Sequence, residues 1–60
     1  MKAEFDKATL KIWFQGQAVS RNIPNVVEMN MEGSLAIIKT AEDNHYFITM
    51  SNVNLIEEVG

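Results

Sequence analysis

His45 is the only histidine of the 60-residue sequence, and Glu42 and Asp43 stand just before it. An imidazole beside a carboxylate is the pairing a general base uses, because the acid orients the ring and stabilises its charged form. The surrounding residues, Ala41-Glu42-Asp43-Asn44, are turn formers. Water reaches both groups at a turn, so a solvated histidine is the expectation. Ser20, Ser34 and Ser51 are the serines. A serine nucleophile needs a base within hydrogen-bond reach and a shaped pocket. Each of these serines lies among turn residues, and one histidine serves few sites. Glu57-Glu58 is a paired carboxylate of the kind that holds a divalent ion when other oxygens converge. Alternation in an extended chain sends the two to opposite faces, which leaves a solvated terminus. Gly16, Gly33 and Gly60 are isolated, so no phosphate-cradling loop exists. There is no cysteine, which removes disulfides and thiolate metal sites, and a single histidine argues against zinc. The expectation is a protein without catalytic, metal or cofactor chemistry.

Recognition is the alternative to catalysis. Trp13 shares a face with Lys11 and Gln15, opposite Leu10, Ile12 and Phe14. If the latter line an interior, Trp13 points outward, and exposed tryptophan is enriched at interface hot spots. The competing reading is a Trp13 that is itself core. Arg21 and Asn22 fall in a loop and are candidates for contact with a partner, against the plainer reading of a solvated loop.

The elements that position these residues are extended. The stretch 34–50 sets two apolar, β-branched and aromatic runs around Ala41–Asn44, which is a hairpin signal. Residues 8–18 alternate with period two, and Gly16 marks a bend or bulge. Ser20–Asn25 is the expected main loop, with Pro24 unable to donate to a ladder. Val26 opens the next strand and Glu32-Gly33 turns the chain. Met1–Asp6 is expected as a loose lead-in anchored by Phe5. Ser51-Asn52 breaks the alternation. Val53–Ile56 is a bend or a single helical turn before a last short strand. The expected strands are 8–18, 26–32, 34–40, 45–51 and 55–59, in one small domain spanning 1–60. Consecutive antiparallel pairing is the simplest topology. Twist and glycine bends should roll the meander into a small, partly open barrel. The fold class is therefore all-β. The expected core is Leu10, Ile12, Phe14, Val27, Met29, Leu35, Ile37, Tyr46, Ile48 and Ile56. The faces of the central hairpin stay open, since a slip of one residue exchanges them.

Size and charge narrow the function classes. A domain this small buries only about 60% of its unfolded surface and needs a staple. With disulfides and metal removed, self-association remains. The formal charge is −3 and the isoelectric point about 4.8, which disfavours nucleic-acid binding driven by Lys and Arg at phosphates. No apolar run has membrane-spanning length and no signal-peptide pattern appears, so the default expectation is a cytoplasmic protein with no membrane partner.

From Val26 to Val59 the pattern resembles Sm-like and SH3-like small barrels. A strand ends in Met31-Glu32-Gly33. A long strand and a turn follow, and Tyr46-Phe47-Ile48 leads into Ser51-Asn52-Val53-Asn54-Leu55-Ile56. The resemblance implies a small barrel, a tight turn after the fourth strand, and a fifth strand that pairs with a neighbouring subunit. The basic rim and the RNA-contacting positions of the Sm-like proteins have no counterpart here, and neither does their opening helix.

Two functions follow. The first is a small non-catalytic protein that binds a larger protein as inhibitor or adaptor, in the manner of acidic phage-encoded inhibitors, and that forms a homo-oligomer. Adjacent apolar pairs at Val26-Val27, Ile37-Ile38, Phe47-Ile48 and Leu55-Ile56 cannot all face one small interior. A dimer is expected, with Trp13 and either Ile38 or Phe47 at the contact. The second is an Sm-like oligomer that binds RNA or a small ligand between subunits, stacking bases on Trp13, Tyr46 and Phe47.

Overall fold

In the structure, a computed structural model that describes residues 1–60, five antiparallel strands form one sheet. These are β1 (Lys2–Phe14), β2 (Arg21–Glu32), β3 (Leu35–Thr40), β4 (His45–Thr49) and β5 (Val53–Val59). There is no α-helix, and a 3₁₀ turn at Met50–Asn52 joins β4 to β5. The order across the sheet is β4-β3-β2-β1-β5. The first four strands form the meander that short connections favour. β5 then crosses back to pair with β1 of the same chain, which satisfies one side of the strand. The sheet curls without closing, and β4 and β5 are its free edges.

The curl comes from breaks in register on β1 and β2. Lys2–Glu4 pairs with Glu28–Asn30, and pairing resumes at Ala8 with Val26. The surplus residues on β1 include Lys7, whose φ is +52°. Bulges of this kind bend a strand and raise its twist. On β2 the register slips again between Val26 and Ile23, at Pro24 and Asn25, and Asn25 has φ +58°. Pro24 therefore sits inside β2, because a bulge is where a missing N–H does least harm. For this reason β2 begins at Arg21, and the expected loop Ser20–Asn25 is mostly strand. β1 likewise starts at Lys2, where a loose lead-in was expected. It ends at Phe14 and not at residue 18, because residues 14–17 form a turn. In that turn the Gln17 N–H donates to the Phe14 carbonyl at 3.3 Å, and Gly16 has φ +77°.

The hairpin turns follow local chemistry. Glu32 pairs with Leu35 across Gly33-Ser34, and Gly33 has φ +62°. That is the position at which a two-residue hairpin turn takes glycine. At the β3–β4 tip the Asp43 N–H donates to the Thr40 carbonyl at 3.0 Å, and Asp43 adopts φ +68°. Thr40 Oγ1 accepts from the Asn44 N–H at 3.2 Å.

The interior is small. Leu10, Ile12, Ile23, Val26 and Ile38 form its buried centre, and Ala8, Ala36 and Thr40 are also buried. Phe5, Phe14, Met29, Tyr46, Ile48, Val53 and Ile56 pack around that centre, partly exposed. Leu10 and Ile12 thus occupy the core as expected, with Phe14, Met29, Tyr46, Ile48 and Ile56 at its margin. The β3 faces are exchanged. Ala36, Ile38 and Thr40 point inward, whereas Leu35 and Ile37 lie half-buried on the outer face. On β2, Val26 takes the core position expected of Val27, because the slip between Val26 and Glu28 against Thr40 and Lys39 turns Val26 inward.

Candidate protein-binding site

The residues singled out for chemistry do not converge. His45 is exposed at the start of β4. Its two neighbouring carboxylates are engaged elsewhere. Asp43 lies 3.7 Å from Lys39 Nζ, and Glu42 Oε2 accepts from Asn25 Nδ2 at 2.9 Å. Ser20 Oγ bonds the side-chain oxygen of Asn22 at 2.9 Å. Ser34 and Ser51 are exposed at turns. Glu57 stands across from Lys11 and Glu58 across from Leu10, so the two acids diverge as alternation requires.

Trp13 is partly exposed on the outer face, opposite the inward Leu10 and Ile12. Its Cα partner is Leu55, an exposed leucine, and its indole N–H donates weakly to Glu57 Oε1 at 3.4 Å. Ile38, the other candidate for a contact, is 0% exposed. It is core and has no surface to offer a partner, because the β3 register turns it inward. Phe47 is 66% exposed and pairs across the outer face with Ile37.

What the sequence did not foresee is that Arg21 and Phe47 border the same hollow. They line one concave site of about 330 Å³ in the open side of the curled sheet. Phe14, Arg21 and Ile23 form the wall from β1 and β2. Tyr46, Phe47, Ile48 and Thr49 form the wall from β4, with Asn52 at one end. Side chains alternate faces along a strand. A hollow touching four consecutive residues of β4 therefore lies against the edge of that strand and not against one face. The volume is at the low end for ligand sites, which run from about 300 to 1,000 Å³.

The electrostatics are simple. The three ion pairs of the molecule involve Lys2 with Glu4, Lys2 with Glu28, and Lys39 with Asp43. Arg21 takes part in none of them, and the lining contains no acid. No group of three or more His, Cys, Asp or Glu side chains comes together in a metal-binding arrangement. No helix is long and apolar enough to cross a membrane.

The sequence offers Arg21 as a loop residue for partner contact and Phe47 as a contact or stacking residue, but nothing in it brings the two to one site. Their sharing of one hollow depends on the curl of the sheet, which sets the start of β2 across from β4. Compared with family models, curated proteins and solved structures, the chain matches none.

Proposed function

We propose that this is a small non-catalytic protein that acts by binding a larger protein, as an inhibitor or adaptor, and that it self-associates. The observation that carries the reading is Phe47. It is a large aromatic ring, two-thirds exposed, on an edge strand beside an apolar hollow. A chain with only eight buried residues leaves an aromatic outside its core at a cost in solubility, and binding a partner would recover that surface. Aromatic side chains seated beside pockets are typical anchors of interfaces. The Trp13–Leu55 pair on β1 and β5 is the surface we assign to self-association.

The test is affinity capture from cells of the native host with the wild-type protein and with Phe47→Asp. The reading expects one protein recovered in stoichiometric amount by the wild type and lost with the variant. Recovery of RNA whose retention falls with salt would replace it with the oligomeric RNA-binding alternative, which the charge of −3 disfavours.

A further inference from the structure

The two free edges of the sheet differ. β5 carries Glu57 and Glu58, charges of the kind that keep strand edges from pairing. β4 reads His45-Tyr46-Phe47-Ile48-Thr49, with no lysine, acid or proline, and its ladder to β3 has no bulge. Nothing in β4 itself guards against a sixth strand.

The hydrogen bonds show which backbone groups of β4 are open. The Met50 N–H donates to the Ser34 carbonyl at 2.8 Å and the Thr40 N–H to the Asn44 carbonyl at 3.0 Å. Residues Tyr46 and Ile48 share that parity and face β3. In an antiparallel ladder the intervening residues point their polar groups the other way. The N–H groups of His45, Phe47 and Thr49 and the carbonyl of Phe47 are therefore directed out of the sheet, toward the side on which the hollow opens.

We propose that an extended peptide segment of a protein partner adds to β4 as a sixth strand, placing a bulky apolar side chain in the hollow and an acidic side chain two residues away against Arg21. The backbone edge supplies hydrogen bonds and the hollow supplies selectivity, the division of labour in strand addition. Side chains at i and i+2 of a strand share a face, so one hollow receives both. The acid follows from charge. Arg21 is a cation with no ion pair in a lining without carboxylates, and its planar guanidinium suits bidentate contact with one. A second copy of this chain is a poorer occupant. Pairing β4 with itself leaves Arg21 without a carboxylate, since β4 carries none. This inference rests on the protein-binding reading and specifies its mode.

The probe is a blocked peptide, acetyl-Thr-Val-Phe-Val-Glu-Thr-amide, titrated into the isotope-labelled protein by NMR. A second probe has lysine in place of glutamate. Saturable shifts and slowed exchange are expected at the amides of His45, Phe47 and Thr49, with the lysine probe weaker by about tenfold or more. Thr49 has φ −77°, which proline accepts, and its N–H faces away from β3. Thr49→Pro should therefore keep the native fold, checked by circular dichroism, and bind the glutamate probe at least about tenfold more weakly. Arg21→Glu, an exposed substitution, should reverse the preference between the probes. The proposal is overturned by any of four results. These are absence of saturable shifts at millimolar peptide, shifts confined to β5, undiminished binding by Thr49→Pro, or concentration-dependent shifts of the β4 amides without peptide, which would mark self-pairing. Capture of a protein through Phe47 in the host experiment would survive each of these, so the two failures are distinguishable.

Discussion

Ile37 and Ile38 are adjacent and chemically identical, yet they have different work. Ile38 is fully enclosed by the centre of the core. Ile37 is half-buried outside, where the close spacing of a non-hydrogen-bonded pair sets it against Phe47. Removing a buried isoleucine leaves a cavity in addition to the lost transfer energy, about 2–5 kcal/mol. In so small a domain each kcal/mol lowers Tm by about 4–8 °C. Ile38→Ala should therefore unfold most of the population near ambient temperature, whereas Ile37→Ala should cost about 1 kcal/mol. Calorimetry of the two variants decides it, and equal losses would show that the β3 faces are not the ones described. At the N-terminal end, Glu4 and Glu28 are Cα partners, an unfavourable like-charge pair. Lys2 Nζ lies 3.9 Å from one and 3.4 Å from the other and offsets it. All three side chains reach water, so the gain is small.

Among the elements, β1 decides the shape. Its first residues pair with the far half of β2, and its last residues lie between β2 and β5. The bulge before Ala8 joins the two halves, and it holds Lys7 at positive φ. A left-handed residue that is not glycine is disfavoured by about 1–2 kcal/mol, and a β-branched one is least suited to it. Lys7→Val should be less stable than Lys7→Gly by about 1–2 kcal/mol, read from urea midpoints at constant m. Equal midpoints would mean that the bulge can move along the strand. β5 completes the design. The 3₁₀ turn swings the chain away from β4, and the Gln15 N–H donates to the Asn52 carbonyl at 2.9 Å. That contact ties the end of β1 to the start of β5. It also leaves the edge of β4 free, which is the condition for the binding mode proposed above.

At the scale of the whole molecule, the radius of gyration of 10.8 Å is close to the roughly 10.4 Å of a packed chain of this length. The core is nevertheless only eight residues. Phe47, Leu55 and Val59 remain exposed, and Leu55 stands beside the partly exposed Trp13 on the outer face. With Phe47 assigned to a partner, the Trp13–Leu55 pair is the self-association surface we propose, and a dimer is the species that proposal expects. Sedimentation at micromolar concentration should give twice the chain mass for the wild type and a shift toward monomer for Trp13→Ser. A monomeric wild type, indistinguishable from the variant, would remove both the dimer and the role given to Trp13.

The sequence by itself determined the strand content, the glycine turn at Gly33, the hairpin tip at Ala41–Asn44 and the inward face of Leu10 and Ile12. Each depends on local spacing or on the backbone freedom of one residue, and such signals act over a few positions. It also showed an excess of apolar residues over what one small interior holds. Only the tertiary structure decided which member of each pair is inside. Val26, and not Val27, is core because a bulge shifts the β2 register. Ile38, and not Ile37, is core because the β3–β4 hairpin pairs Ile38 with Tyr46. A period of two turns such a shift into an exchange of faces. Pro24 masked the start of β2 for the same reason, since its cost depends on whether a ladder bond is required there. The shared hollow of Arg21 and Phe47 lies further still from local signals. It depends on the curl of the whole sheet, set by long-range pairing and its bulges, which no short stretch of residues encodes.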